Sequence, residues 1–202
     1  MSAEMTEQFS WVPFFEELAD RLVAYKDRQS ELIEFLEDLR SQGLPITPFN
    51  DKDDRGRSFV IREIDPFTFL AVINRKLTVE NRTKIAEKYR EFLKITADAP
   101  SDFTGIPIVN NQQSWFIPWQ YLRRSTDVPT LWHVFELAIW PDPFQYPDLP
   151  KVFDAALDVR GVNFNLTMGL FWVRPTTFVS LDANMRNLLN LKPPRGGLNF
   201  EY

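Results

Sequence analysis

Apolar side chains recur three or four positions apart along most of this chain, and this spacing predicts a mainly α-helical fold. The first such stripe lies in residues 11–28 and comprises Phe14, Phe15, Leu18, Leu22 and Tyr25. A second stripe follows in residues 30–42, where Ser30 is typical of a helix start and Gly43 of a helix end. The two segments predict a helical hairpin.

Residues that cap helices mark the start of several more. Asp65 followed by Pro66 is a strong helix start, because Asp accepts bonds from the first free N–H groups and Pro fits the first turn. Thr78 begins the clearest amphipathic pattern, and Asp182 begins the last helix, predicted over residues 181–190. Further helices are predicted near residues 130–140, 148–160 and 164–173.

These elements predict a single compact multi-helical domain over residues 1–190, with seven to nine helices. At most a small β element is expected, near residues 58–64 and 105–109. Residues 191–202 contain Pro-Pro and Gly-Gly pairs, which break regular structure, and we expect them to form an exit linker.

The composition narrows the classes of function. The absence of cysteine excludes disulfides, thiol catalysis and cysteine-bound zinc, and the single histidine, His133, cannot form a typical zinc site without such partners. With only 7 glycines and no P-loop pattern, nucleotide hydrolysis is not expected within these residues. We therefore predict no catalytic residue, no metal site and no cofactor here.

The chain also lacks the features of a secreted or membrane protein. Its first residues show no secretory signal, and its apolar runs fall far short of the roughly 18 residues that span a bilayer. These observations predict a cytoplasmic protein without a membrane partner.

Charge is unevenly distributed along the chain. The net charge is −5; residues 1–50 carry 4 basic and 10 acidic groups, whereas residues 51–100 carry 11 basic and 9 acidic groups. Such a chain is not a generally basic nucleic-acid binder, so any phosphate-binding surface must be local. Arg75 and Lys76, just before the helix that begins at Thr78, are candidates for it, with a solvated face as the alternative.

The segment over residues 110–124, "NNQQSWFIPWQYLRR", interleaves amides with aromatic residues and ends in two arginines. Amides bind base edges, aromatic faces stack on bases, and arginine reaches phosphate or guanine. This amide–aromatic loop therefore provides the nucleic-acid-binding candidates Asn111, Gln112, Trp115, Arg123 and Arg124. The alternative is a loop whose tryptophans merely anchor it to the core.

The turn over residues 161–165 and the helices after it form a second candidate region. The turn resembles the helix-hairpin-helix segment of DNA glycosylases, with Asn163 expected to take the left-handed conformation of a glycine. Asp182 would then be a catalytic acid, although a helix cap also explains it. The binding candidates of this region are Asn163, Asn165, Arg174 and Arg186. If both regions bind DNA, they should lie on the same side of the fold.

Five separate blocks carry a second resemblance, over nearly the whole chain: "WVPFFEELADRLVAYKDRQSELI", "EIDPFTFLAVINRKLTVENR", "DFTGIPIVNNQQSWF", "LWHVFELA" and "NLTMGLFWVRPTTFVSLDANMRNLL". They resemble the N-terminal region of McrB-like bacterial AAA-family ATPases of modification-dependent restriction systems. The resemblance implies a module that recognises DNA, often modified DNA, followed by an AAA motor domain after residue 202. It also implies a partner nuclease and a homo-oligomer formed through the motor.

Three functions are therefore open. The working hypothesis is a non-catalytic DNA-recognition module, which clustered positive potential on one surface would favour. The second is a protein-docking module for a nuclease or neighbouring motor subunits, which a neutral aromatic patch beside the acidic first helices would favour. The third is a helix-hairpin-helix enzyme of the DNA-glycosylase type, which a deep pocket holding Asp182 would favour.

Overall fold

The computed structural model describes residues 9–111, 114–192 and 198–200, and this part of the chain is mainly α-helical. Its α-helices are α1 (Trp11–Leu22), α2 (Gln29–Ser41), α3 (Pro66–Ala71), α4 (Val79–Leu93), α5 (Asp127–Ala138), α6 (Leu149–Leu157), α7 (Asn165–Val173) and α8 (Ala183–Leu188). The strands β1 (Asn50–Lys52) and β2 (Ser58–Val60) form one antiparallel pair. The predicted fold class and helix number are confirmed for the described residues. Within these ranges, no helix has both the length and the apolar character needed to cross a membrane.

Helix starts were predicted best where a side chain caps them. Asp65 caps α3, Thr78 caps α4 and Asp182 caps α8, each by accepting a bond from a backbone N–H two or three residues later. The helices α2 and α5 have no side-chain cap bond, and both begin earlier than predicted. Capping chemistry is local, and therefore it can be read from the sequence.

The small sheet differs from the prediction. β1 lies outside the two segments in which a β element was expected, and it pairs Asn50 with Val60 and Lys52 with Ser58. Residues 105–109 form no strand; Val109 makes only an isolated parallel bridge with Arg75. The hairpin matters for the site, because β1 carries Asn50 to the edge of the cleft described below.

A short, fully buried helix, α3, lies in the core and packs against α5 and α7. Gly169 of α7 permits a close approach to α3, because a Cβ at this position would lie 2.5 Å from Cδ1 of Phe67. From α4, the hydroxyl of Tyr89 donates to the carbonyl of Phe69 at 3.0 Å. α3 therefore connects three of the longer helices.

Three tryptophans in helices donate hydrogen bonds from their indole N–H groups to backbone carbonyls of loops. Trp11 of α1 donates to the carbonyl of Thr104 at 2.9 Å, and Trp172 of α7 donates to that of Pro107 at 2.9 Å. Trp132 of α5 donates to the carbonyl of Ile64 at 3.0 Å, just before α3 begins. Each indole is buried, so the bond satisfies a polar atom that would otherwise be costly to remove from water.

A chain of buried hydrogen bonds runs from α3 to the amide–aromatic loop. The carboxylate of Asp65 accepts from the backbone N–H groups of Phe67 and Thr68 and from the Thr68 hydroxyl. The Thr68 oxygen in turn accepts from the backbone N–H of Phe116 at 2.8 Å. Burial raises the pKa of Asp65 from 3.8 to about 6, against the opposing effect of these bonds. The Asp65 carboxyl thus holds both the start of α3 and the middle of the loop.

Gly169→Ala should destabilise the fold, because the new methyl group would overlap the ring of Phe67. We expect the free energy of unfolding to fall by about 1–3 kcal/mol through overpacking, against a helix-propensity gain of about 1 kcal/mol. Chemical denaturation of the wild type and the variant measures the net change in the free energy of unfolding. The Phe67→Val substitution removes the Cδ1 atom that the new methyl group would overlap. Combining it with Gly169→Ala in a double-mutant cycle isolates the interaction between the two positions. Additive effects of the two substitutions would contradict this packing account.

Asp65→Asn should remove a specific pH dependence of stability. Because the folded pKa is raised, the folded chain binds a proton that the unfolded chain does not bind between pH 4 and 6. The wild type should therefore lose stability, relative to the variant, as the pH rises from about 4 to about 6. The expected change is roughly 3 kcal/mol, from a shift of about two pH units at a buried site. Urea denaturation at several pH values measures it, and a pH-independent difference would refute the assignment.

Candidate functional site

An open cleft of about 980 Å³ lies between the amide–aromatic loop and the turn before α7. The residues that line it are Thr47, Pro48, Asn50, Asn111, Ser114, Trp115, Ile117, Pro118, Trp119, Leu122, Arg160, Gly161, Asn163, Phe164 and Asn165. The two regions that the sequence nominated separately are therefore walls of one cleft. This confirms the expectation that they lie on the same side of the fold.

One wall of the cleft is a run of aromatic rings. Phe49 and Trp115 stack with their centroids 5.5 Å apart and their planes at 13°, and Trp119 lies 5.7 Å from Trp115. Trp119 is 37% exposed, and the ammonium of Lys52 lies 5.0 Å from its ring centroid. Trp115 thus has both the predicted anchoring role and a place on the cleft wall, whereas Trp119 presents the more open face.

A buried ion pair holds this wall to the β-hairpin. The guanidinium of Arg123 lies 2.7 Å from the carboxylate of Asp51 and 2.9 Å from that of Glu63, and its side chain is only 4% exposed. Asp51 also accepts from the backbone N–H of Gln120 at 2.7 Å. Arg123 therefore stabilises the position of the wall against the β-hairpin. Its predicted role as an accessible phosphate contact does not fit this burial.

Arg124 connects the two walls. Its Nε donates to the Asp127 carboxylate at 2.7 Å, and its terminal nitrogen donates to the backbone carbonyl of Asp158 at 2.8 Å. Asp158 directly follows α6 and precedes the turn that forms the opposite wall. The guanidinium remains half-exposed, so Arg124 combines a structural bond with an accessible charge.

The opposite wall is a tight turn between α6 and α7. Gly161 has a φ of +95°, a conformation that residues with a side chain rarely adopt. Asn163 does not have a positive φ, so the expectation that it replaces a glycine in the left-handed region is wrong. Two amides of this segment are used internally, since Val162 donates to Val159 and Leu166 to Asn163.

The charge on the cleft surface is opposite to that of the whole protein. No acidic side chain lines the cleft in the described residues, although the net charge of the chain is −5. Arg160 is exposed on the lining, and no ion-pair partner for it occurs in the described part of the chain. Sequence reasoning did not select Arg160, although its position directly before the turn glycine was a usable signal.

The other nominated residues occupy different environments. Asn111 lines the cleft and donates to the carbonyl of Lys76 at 3.2 Å, which places the exposed Lys76 nearby. Asn165 also lines the cleft, whereas Gln112 lies outside the described residues. Arg186 lies over the ring of Phe164, 4.1 Å from its centroid, and so reaches the turn from α8. Asn111, Asn165 and Arg186, together with Lys76, therefore lie in or beside the cleft.

Three nominated residues lie elsewhere. Arg174 is bound by Asp20 and by backbone carbonyls, including that of Ile139 at 2.9 Å, so its charge stabilises the contact between helices. Arg75 is buried and donates to the Pro45 carbonyl and the Thr47 hydroxyl, which contradicts its prediction as a surface cation. The Asp182 carboxylate caps α8 and does not line this cleft.

A comparison with known proteins assigns the chain to a family. Residues 11–194 match the family described as Domain of unknown function (DUF8425). The chain belongs to this family. No curated protein and no solved structure matches it. The DUF8425 description carries no activity, so the function has to be argued from the cleft.

Two neighbouring arginines should respond very differently to substitution. Arg123→Ala leaves Asp51 buried without its partner, and breaking such a pair costs roughly 3–5 kcal/mol. Arg124→Ala removes a half-exposed guanidinium, and the buried Asp127 keeps its bond from the backbone N–H of residue 124, so a loss of only about 1 kcal/mol is expected. Thermal and urea denaturation of both variants measure the difference. Equal losses of stability would show that the Arg123–Asp51 pair does not hold the wall.

Proposed function

We propose that this DUF8425 protein is a non-catalytic DNA-recognition module whose cleft binds the nucleic acid. The observation that carries the proposal is the junction of the amide–aromatic loop and the 161–165 turn in one cleft. Arg160 lines that cleft, Lys52 lies over its Trp119, and no acidic side chain lines it in the described residues of an otherwise acidic chain.

The cleft offers a group for each part of a nucleotide. Trp119 offers a stacking face, and stacking of a base on an aromatic side chain is worth roughly 1–3 kcal/mol. The amides of Asn111 and Asn163 can donate to and accept from base edges. Arg160 and Lys52 can contact phosphate oxygens. The volume, about 980 Å³, lies within the range typical of ligand clefts.

The biological setting of the proposal rests on the resemblance to McrB-like ATPases. In this setting the protein acts in the cytoplasm as part of a restriction system. A nuclease is its partner, and a motor domain, through which the protein forms homo-oligomers, follows the recognition module. A modified base is the natural ligand of such a module. The cleft is consistent with this idea because its amides present both donors and acceptors.

A specific surface supports protein docking as a second candidate. Trp140 and Tyr146 are exposed, with ring centroids 5.7 Å apart, and Phe144 is exposed on the same segment. This segment begins beside α1, because Arg174 contacts both the Ile139 carbonyl and Asp20 of α1. An exposed aromatic patch, with Asp142 between its rings, therefore adjoins an acidic helix, and exposed aromatic patches often mark docking surfaces.

The glycosylase alternative has less support. The carboxylate of Asp182 caps α8 by accepting from the backbone N–H of Met185 at 2.9 Å. It lines neither the main cleft nor the smaller apolar groove beside Phe144 and Phe200. An acid that serves as a helix cap, outside both of these clefts, is poorly placed for cleavage of a glycosidic bond.

Arg160→Ala should weaken binding to methylated, unmethylated and single-stranded DNA alike. Loss of one phosphate contact should also reduce the slope of log affinity against log salt by up to about one unit. Trp119→Ala should instead weaken binding with little change in this slope, because stacking releases few counterions. Fluorescence anisotropy over a salt series measures both effects.

Arg40→Ala is the matched control, since Arg40 is an exposed arginine of α2 that does not line the cleft. All variants must retain the wild-type melting temperature. If Arg160→Ala and Trp119→Ala bind as tightly as Arg40→Ala at low salt, the cleft is not the DNA contact. The aromatic patch at Trp140 and Tyr146 would then be the surface to test for a protein partner.

A further inference from the structure

Arg75 is a buried cation without a carboxylate partner. The residue is 5% exposed, and no acidic side chain of the described residues forms an ion pair with it. Its terminal nitrogens donate to neutral oxygens, the Pro45 carbonyl and the Thr47 hydroxyl, and its Nε has no partner. Burying a charge without a counter-ion is costly, so such a group is unusual in a folded protein.

Arg82 provides a comparison within the same fold. It is also buried and forms no ion pair within the described residues, but its guanidinium has other compensating contacts. It donates to the Ile73 carbonyl and the Asn74 side chain, both at 2.8 Å, and lies 3.8 Å from the Phe103 ring centroid. The negative charge of Asp102 also acts on it. Arg75 has no such set of compensating contacts.

The position of Arg75 connects it to the cleft. Thr47, which accepts from Arg75, lines the cleft together with Asn111 and Arg160. Because the Thr47 oxygen accepts from Arg75, its O–H remains to donate, and no protein acceptor for it occurs in the described residues. The cation behind Thr47 makes this hydroxyl a stronger donor. Thr47 is therefore suited to bind an anionic oxygen in the cleft.

We infer that the Thr47 end of the cleft binds a phosphoryl group, with the Thr47 hydroxyl as donor, Arg75 as the buried cation behind it and Arg160 as the exposed cation on the lining. The inference rests on the proposed function and makes it more specific, because the ligand is then a nucleotide held by its phosphate as well as by its base. The bound phosphate supplies the counter-ion that Arg75 lacks in the described chain. Arg75 acts through Thr47 and is a positioning residue.

The first test compares thymidine monophosphate, thymidine and inorganic phosphate as ligands of the whole protein, by calorimetry and thermal shift. Thymidine monophosphate should bind about tenfold or more tightly than thymidine, since charge-assisted hydrogen bonds are the strong ones. Inorganic phosphate should raise the melting temperature and compete with the nucleotide. Equal affinities for nucleoside and nucleotide, or no effect of inorganic phosphate, would overturn the inference.

Thr47→Val and Thr47→Ser form the matched pair of variants. Valine keeps the approximate shape but removes the hydroxyl, so the advantage of nucleotide over nucleoside should disappear. Serine keeps the hydroxyl and should retain the advantage within about threefold, about 0.7 kcal/mol. If the valine variant does not fold, Arg160→Ala, which alters an exposed residue, replaces it and should reduce the same advantage. Retention of the full advantage in a folded Thr47→Val protein would refute the role of Thr47.

Oligonucleotides distinguish the source of the phosphate and separate this inference from the proposed function. A 5′-phosphorylated strand that binds more tightly than its 5′-hydroxyl counterpart would identify a terminal phosphate. Equal binding of the two strands, with sensitivity to Thr47→Val, would identify an internal one. DNA binding that depends on Trp119 but not on Thr47 would refute the phosphate site and leave the proposed function. Nucleotide binding without any DNA binding would refute the function and leave the site.

Discussion

The buried carboxyl of Asp65 is the group on which the rest of the structure depends. It caps α3, the short helix in the core, and through the Thr68 hydroxyl it also fixes the backbone of Phe116. Phe116 follows Trp115, so the same network determines where the aromatic wall of the cleft lies. Burial raises the pKa of Asp65 to about 6. Burial thus disfavours the charged form of this carboxyl, and its hydrogen bonds organise both a helix and a loop.

The cleft is built from charges that serve two different purposes. Arg123 and Arg124 hold the walls together, by a buried pair with Asp51 and by a bond to the Asp158 carbonyl. Arg160 and Lys52 are left at the surface of the cleft, where they are available to a ligand. This division explains how a chain with a net charge of −5 presents a cleft without lining acids among its described residues. The acidic groups of the walls, Asp51, Glu63 and Asp127, are paired with Arg123 and Arg124 and do not line the cleft. Others lie elsewhere, as Glu17 does in its bonds to Thr96 and Ala97.

The two arginines that the sequence presents as one basic pair illustrate the limit of pattern reading. Arg123 and Arg124 are adjacent, yet the side chain of Arg123 is 4% exposed and that of Arg124 is 55% exposed. The partner of Arg123, Asp51, lies far away along the chain on β1, a strand that the sequence did not predict. Arg75 shows the same effect, because its burial depends on the segment at Pro45 and Thr47 packing over it. Burial and ion pairing of this kind depend on long-range contacts, which a local pattern does not contain.

The sequence by itself determined the elements whose physics is local. Helical periodicity predicted the fold class, and the caps at Asp65, Thr78 and Asp182 predicted three helix starts, because these bonds form between near neighbours. Composition nominated the amide–aromatic loop, and a resemblance to helix-hairpin-helix segments nominated the turn near Gly161. Only the tertiary structure decided that these two regions form one cleft, that Arg160 lies within it and that Arg75 and Arg123 do not reach its surface. The reason is that packing around α3 brings together residues that are distant in the chain, and their burial and charge partners exist only after that packing.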